Sequence, residues 1–308
     1  MEHLNSSNSS GLNPASQASD RLISSSILGL CCTLGLPGNI AVLAVILCHS
    51  HRRLNFTLCL MLNLASSDIL CLATVPLWIH TILHGWTMGQ AACKLATFLL
   101  YLSLYANVLT VTLLGIQRYL QVLKPQRWSR LGRKGEIMLL LALWGLASAM
   151  AAPVMVTLDV NICKRKFQHH TGSDDEIVII LVLETLLGFV VPLTVLVTCY
   201  CCLHRRVNQT ALFSSAKLTR LVTCVVVAFF IFWVPVHIVN IMDIATVVLR
   251  DSQSELLKYR IRVARVLRSF TFVNSCLNPF LYAFASRRIR QQPKTTSKKD
   301  IGIQSTKS

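Results

Sequence analysis

Charge is scarce in this chain, and acid is scarcer still. Of its 308 residues 14% are charged, with 13 Asp and Glu against 30 Lys and Arg. A soluble domain carries about 25%, so a water-facing surface over most of the chain is excluded. The spacings that chemistry needs are missing as well. No His, Cys and Asp fall at metal-ligand intervals and no nucleophile triad appears, so neither an enzyme nor a bound cofactor is expected, and lone histidines such as His80 and His84 read as packing residues. The first 20 residues are rich in Ser and Asn and have no apolar core. No cleavable signal peptide is therefore expected, and the first apolar run must direct insertion itself. No internal repeat is visible, which argues against a transporter.

What the chain has instead is hydrophobic length. It is 53% hydrophobic, and apolar runs longer than about 18 residues read as membrane-spanning helices, because roughly 20 residues cross the hydrocarbon. Seven such runs, spans one to seven, fall at about 22–49, 56–84, 91–117, 136–158, 176–203, 218–246 and 260–285. Lipid offers no partner to backbone amides, so each run must be helical. The inner half of span three, Val108 to Ile116, is largely apolar, which leaves no continuous polar path for a channel.

The net charge of +17 is mostly topology and does not point to nucleic acid. Arg52 and Arg53, then Lys124, Arg127, Arg130, Arg133 and Lys134, then Arg205, Arg206, Lys217 and Arg220 fall in alternate connections, and the tail adds Arg287, Arg288 and Arg290. Positive ends stay in the cytoplasm. The expected order is an extracellular tail at 1–21, a bundle at 22–285 and a cytoplasmic tail at 286–308, in a multi-pass protein of the plasma membrane. Sequons at Asn5 and Asn8 then lie outside and can be glycosylated, whereas those at Asn55 and Asn208 face the cytoplasm and stay bare. Most of the 12 cysteines lie in or beside apolar runs and read as small packing residues. Cys93, which opens span three, and Cys163, in the loop after span four, both lie outside in an oxidising compartment, so a disulfide between them is expected.

Polar residues inside the spans need an account. A carboxylate at mid-membrane costs several kcal/mol unless paired, hydrated or neutral. Asp68 of span two, with Asn39, Asn107, Ser275 and Asn278, can form a hydrated pocket holding a cation such as sodium on Asp68, Asn107 and Ser275; the alternative is an inter-helix hydrogen-bond cluster that only glues the bundle. Pro76, Pro153, Pro192, Pro235 and Pro279 each sit inside or near the end of a separate span, where each kinks its helix and leaves room for a cavity.

In order along the chain stand Asn39, Leu64-Ala65-x-x-Asp68, Cys93, Arg118-Tyr119, Pro125, Trp144, Pro192 with Tyr200, Phe229-x-x-x-Trp233-x-Pro235, and Asn278-Pro279-x-x-Tyr282. Together they resemble the rhodopsin-like (class A) G-protein-coupled receptors, over the chain from Gly38 to about Arg290. The resemblance implies an all-α fold, a seven-transmembrane helix bundle with a short amphipathic C-terminal helix. Thr74-x-Pro76 and Trp86-x-x-Gly89 are similar to the chemoattractant branch. Ser103-x-Tyr105-Ala106, Glu184 with Gly188-Phe189, and Phe232-Trp233-x-Pro235-x-His237-x-Val239-Asn240 look like the leukotriene B4 receptors in particular.

An amine receptor would carry an acid between Phe98 and Leu104, and a retinal protein a lysine between Ser269 and Tyr282; both are absent. Arg260, Arg262, Arg265 and Arg268 open span seven on the outer side, and Lys164, Arg165 and Lys166 follow the loop cysteine. Arg262, Arg265 and Arg268 step by three and keep to one helix face. Guanidinium groups grip carboxylates in a fork, so an anionic ligand is expected to enter here; salt bridges to Asp174, Asp175, Glu176, Asp251 or Glu255 are the plainer reading. Tyr105, Glu184, His237 and Asn240 lie deeper. An oxygenated fatty acid fits, with its carboxylate at Arg265 and Arg268 and its hydroxyls at those four; an acid-ended peptide fits almost as well.

By resemblance, Phe229, Trp233 and the Pro235 kink transmit the signal, and Arg118, Tyr119, Tyr200, Asn278, Pro279 and Tyr282 serve the switch that meets a heterotrimeric G protein, of the inhibitory type given a short third loop. Serines and threonines of the tail are candidate phosphosites for arrestin. Arg118 is expected to snorkel to water at rest. In most relatives the residue before it is acidic, and here it is Gln117, so the resting lock is expected to be weak: basal signalling should be measurable and should fall in Gln117→Asp. A decoy that binds without signalling is the alternative.

Overall fold

The structure, a computed structural model, describes residues 14–49, 55–153, 174–207, 227, 230–245, 266–267 and 269–279. Among these there is no strand. Five helices are long and apolar enough to cross a membrane, within Ala18–Cys48, Phe56–His84, Gly89–Leu123, Gly132–Ala151 and Val178–Arg205, and Phe230–Ala245 is a shorter apolar helix in span six. Residues 266–267 and 269–279 form the described part of span seven, with 271–279 a continuous helix. The short C-terminal helix expected after it lies outside the described residues.

The first helix, Pro14–His49, begins eight residues before the apolar run and passes through Pro37. Span two starts at Phe56 because the Asn55 side chain accepts from the Leu58 amide at 2.9 Å, one of the donors that a helix start leaves unpaired. It is interrupted at Thr74 and resumes as Val75–His84 with Pro76 in its first turn. Pro76 has no amide hydrogen to give the carbonyl of Leu72. The Cys32 thiol of span one approaches that carbonyl at 3.9 Å, and the Thr74 hydroxyl donates to Cys71 O at 2.7 Å while accepting from the Trp78 indole at 3.0 Å. The turn into span three is held by the Trp86 indole, which donates to Gly89 O at 2.7 Å. Gly89 has φ 79, a left-handed backbone that a side chain would strain.

Span three, Gly89–Leu123, is the central post: it packs against spans two, four and five. It outruns the apolar stretch by about two turns, so Arg118 and Tyr119 are part of the helix and not its frayed end. A Cβ at Gly115 would stand 2.1 Å from Leu196 Cδ2 of span five. A side chain at that crossing would require the Leu196 methyl to move aside. Span five changes period at Leu186–Val190, a π turn in which the Val191 amide reaches back to Leu186 O; Pro192 follows at once and cannot bond the Gly188 carbonyl.

Leu30, Leu34, Val45, Met138, Leu141, Val197, Ile231 and Ile241 are exposed on the outer faces of their helices. In water such a surface would drive aggregation; here it faces lipid. The interior holds the polar residues.

Candidate functional site

The deepest polar cluster gathers around Asp68, which is 0% exposed. Its Oδ1 accepts from Asn107 Nδ2 at 2.9 Å and its Oδ2 from Asn278 Nδ2 at 2.6 Å, and Ser275 also hydrogen-bonds to it. Ser67 donates in turn to Asn107 Oδ1. Asn39 Nδ2 donates to Gly35 O at 2.9 Å and Ser275 O at 2.8 Å, fastening span one to span seven. A parallel chain runs outward from span two: the Trp144 indole donates to Asn63 Oδ1 at 2.8 Å, and Asn63 Nδ2 donates to Thr110 Oγ1 at 2.7 Å. These bonds tie spans one, two, three, four and seven to one another. Asn107 turns its amide nitrogen to Asp68 and its oxygen to Ser67, so of the three residues expected to hold a cation only Asp68 and Ser275 bring oxygens together here. Among the described residues no group of three or more His, Cys, Asp and Glu is placed to hold a metal ion.

A second cluster is aromatic and lies between spans three, five and six. His237 is 2% exposed, stacked on Phe189 with centroids 4.7 Å apart and on Trp233 at 5.7 Å. Phe230 meets the edge of Phe189 at 5.6 Å. Tyr105 is buried beside Tyr101, with centroids 6.1 Å apart. Gly188 faces the gap between them: a Cβ there would stand 3.5 Å from Tyr105 Cε1 and 3.9 Å from His237 Cε1. Glu184, half-buried and one turn earlier in span five, lies within electrostatic reach of Tyr105. Neither ring nitrogen of His237 has a hydrogen-bond partner among the described residues, and the same holds for Asn240 Nδ2. Buried polar atoms left unpaired cost about 1–3 kcal/mol each. Two of the three belong to His237, whose ring lies between Phe189 and Trp233.

The third cluster closes the far end of span three. Gln117 is 0% and Arg118 7% exposed, so Arg118 does not snorkel to water, contrary to the expectation. Span three continues past it and span two covers it. The Thr57 hydroxyl is the shared acceptor: Gln117 Nε2 donates to it at 3.0 Å and Arg118 Nη2 at 3.1 Å. Arg118 Nη1 also donates to Gln121 Oε1 at 3.1 Å. Gln117 thus offers its amide nitrogen to Thr57 rather than its oxygen to the arginine, and Gln117 Oε1 and Arg118 Nε have no partner among the described residues.

Of the residues singled out in the sequence, Tyr105, Glu184, His237 and Trp233 come together on the aromatic side, while Asn240 is buried and Pro235 half-buried on the helix that carries His237. Asp68, Asn107, Ser275, Asn278 and Pro279 come together below them, Pro279 being buried in span seven. Tyr119 and Tyr200 stand half-buried near Arg118 on spans three and five. Cys93 is disulfide-bonded, with its partner outside the described residues. Cys163, Phe229, Arg265, Arg268, Tyr282, Asn5 and Asn8 all lie outside them. Thr57, Gln121 and Phe230 were not expected. Thr57 carries no signal in the sequence beyond a hydroxyl at the start of a span, and its partners stand 60 and 61 residues away.

Comparison with known proteins adds a family to this geometry. Residues 38–282 match the family described as 7 transmembrane receptor (rhodopsin family). The chain is 30% identical to the C3a anaphylatoxin chemotactic receptor of Danio rerio over 285 residues, 88% of this chain and 74% of that protein. It is 30% identical to leukotriene B4 receptor 1 of Homo sapiens over 270 residues, 84% and 75% of the two chains. With C-X-C chemokine receptor type 3 of Homo sapiens it shares 31% over 278 residues, 89% and 75%. A receptor named for a lipid and two named for proteins stand at nearly equal distance, so overall identity does not select the ligand.

Proposed function

The chain belongs to the rhodopsin family of seven-transmembrane receptors, in its chemoattractant branch, and from that premise we propose that it responds to an oxygenated fatty acid of the leukotriene B4 type. It is a multi-pass membrane protein and not an enzyme, and its partners are a ligand and a G protein. The observation that carries the lipid reading is the unpaired His237, set in a wall of Phe189, Trp233 and Tyr105. One hydrogen-bonding edge in an apolar wall suits a hydroxyl on a hydrocarbon chain better than the many polar groups of a peptide. Asn240 and Glu184 offer further partners, and Arg265 and Arg268 take the carboxylate. A ligand hydroxyl drawn to His237 pulls on a ring stacked against Trp233, which stands beside the Pro235 kink. The stack thereby couples recognition to the helix that swings.

In this reading the N-terminus faces outward at the plasma membrane with Asn5 and Asn8 glycosylated, and Cys93 pairs with Cys163. The arginine and tyrosine switch, Arg118, Tyr119, Tyr200, Phe229, Asn278, Pro279 and Tyr282, engages an inhibitory-type G protein, with arrestin following at the phosphorylated tail. A sodium ion seated on Asp68 and Ser275 steadies the resting bundle. Dose–response of G-protein activation in transfected cells tests the ligand: a response to dihydroxy fatty acids below micromolar concentration is expected. Silence to all of them, with a response to an anaphylatoxin or chemokine, would establish the peptide alternative.

The non-signalling decoy is favoured by one observation, the engagement of Arg118 by Thr57 and Gln121 in place of an acid. It predicts saturable lipid binding with no G-protein activation at any dose.

A further inference from the structure

The outer face of span five near its cytoplasmic end holds a hollow apart from the ligand pocket. It is a shallow cavity of about 350 Å3 between spans three and five, lined by Tyr119, Thr194, Val195, Thr198 and Cys199. Two of its lining residues are threonines, yet its wall is apolar in effect. The Thr194 hydroxyl donates to Val190 O at 2.6 Å and the Thr198 hydroxyl to Thr194 O at 2.8 Å, so both residues turn methyl groups outward. Val197 beside them is exposed as well.

A half-buried free thiol, Cys199, lines the hollow, and two more follow it on span five. Cys201 and Cys202 are exposed and make no disulfide. They follow Thr198 by three and four positions, and so continue the same helix face by one turn. Four residues beyond each lie Arg205 and Arg206, which mark the level of the lipid headgroups. A thiol at that level, on a lipid-facing helix beside basic residues, meets the conditions for reversible S-acylation. An acyl chain attached there runs back into the bilayer along the face where the hollow opens.

The geometry points to Cys201 and Cys202 as sites of S-acylation by a long-chain fatty acyl group whose hydrocarbon lies in the hollow between Tyr119 and span five. The sulfur attacks the carbonyl carbon of a long-chain acyl-coenzyme A. The new carbon–sulfur bond forms as the bond to the coenzyme's sulfur breaks, and the cysteine proton leaves with the coenzyme A thiol. Nothing is oxidised or reduced. The chain then rests on Tyr119, the neighbour of Arg118, so the modification sits against the coupling end of span three. Cys48, exposed at the end of span one before Arg52 and Arg53, is the natural comparison, since the hollow is not lined by its helix.

The inference rests on the orientation in which the Arg205 end is cytoplasmic, where acyl-coenzyme A is found. Full-length receptor from cell membranes is blocked at free thiols, treated with hydroxylamine and labelled with a polyethylene-glycol maleimide. The wild-type chain should show a hydroxylamine-dependent step in apparent mass, lost in Cys201→Ser/Cys202→Ser and kept in Cys48→Ser. No step, or a step that persists in the double variant, would overturn the assignment. An epitope on the N-terminus is stained on intact cells in parallel. An accessible epitope with no mass step defeats the acylation alone; an epitope hidden until permeabilisation defeats both the orientation and the acylation. A palmitate analogue carrying a diazirine should crosslink to the peptide that contains Tyr119, and crosslinks to lipid alone would remove the acyl chain from the hollow.

Discussion

Asp68 and His237 are buried to nearly the same degree, 0% and 2% exposed, but their surroundings differ in kind. Both carboxylate oxygens of Asp68 hold amide donors from other spans, whereas neither nitrogen of His237 has a partner among the described residues. Burial alone therefore does not separate scaffold from site in a membrane bundle. Satisfaction does. A polar group whose partners come from its own chain has spent its capacity on holding helices together, and one without partners has kept that capacity for something that arrives later.

The comparison is broken most severely at Asp68. Asp68→Ala leaves the side-chain amides of Asn107 and Asn278 buried and unpaired, at about 1–3 kcal/mol each. The detergent-solubilised protein should melt several degrees lower and reach the cell surface poorly, and an unchanged melting point would contradict the hub. His237→Phe should do the reverse. It keeps a ring between Phe189 and Trp233 and removes two unpaired atoms, so thermal stability is expected to hold or rise, while fatty-acid potency falls about tenfold, the effect of losing roughly 1.4 kcal/mol of binding. A variant equally potent and equally stable would detach His237 from the ligand.

Smaller effects sharpen the same contrast. Thr57→Val removes the acceptor shared by Gln117 and Arg118 and should raise ligand-free G-protein activation about fivefold, corresponding to about 1 kcal/mol. Gln117→Asp, by restoring a charge beside Arg118, should lower it, and equal basal activity in all three proteins would dismiss Thr57 as the resting contact. Gly188→Ala is the mildest change. The added methyl meets Tyr105 and His237 only at ordinary contact distance, so the melting point should not move. Potency should fall a few-fold as the gap between the two rings narrows, and unchanged potency would place the ligand elsewhere.

The helical spans were legible in the sequence because hydrophobic length is a one-dimensional property; Asp68 was legible because an acid inside an apolar run has few explanations. The Thr57 contact was not. It depends on the rotation of two helices about their own axes, which no local pattern encodes. The π turn at Leu186–Val190 escaped for a related reason: Pro192 announces a disturbed helix but not the extra residue that re-aims Glu184, Gly188 and Phe189. Arg118 was read as solvent-seeking because the apolar run stops there, although the helix does not.

The cap at Asn55 has a reach beyond its own turn. It fixes the residue at which span two begins to coil, and Thr57 is only the second residue of that coil. If the first turn frayed, the hydroxyl would rotate out of line with Gln117 and Arg118 even though no side chain of the switch had changed. The clasp on the arginine is thus no firmer than the end of a neighbouring helix, and whatever binds or crowds the loop before Phe56 has a handle on the coupling end of the bundle.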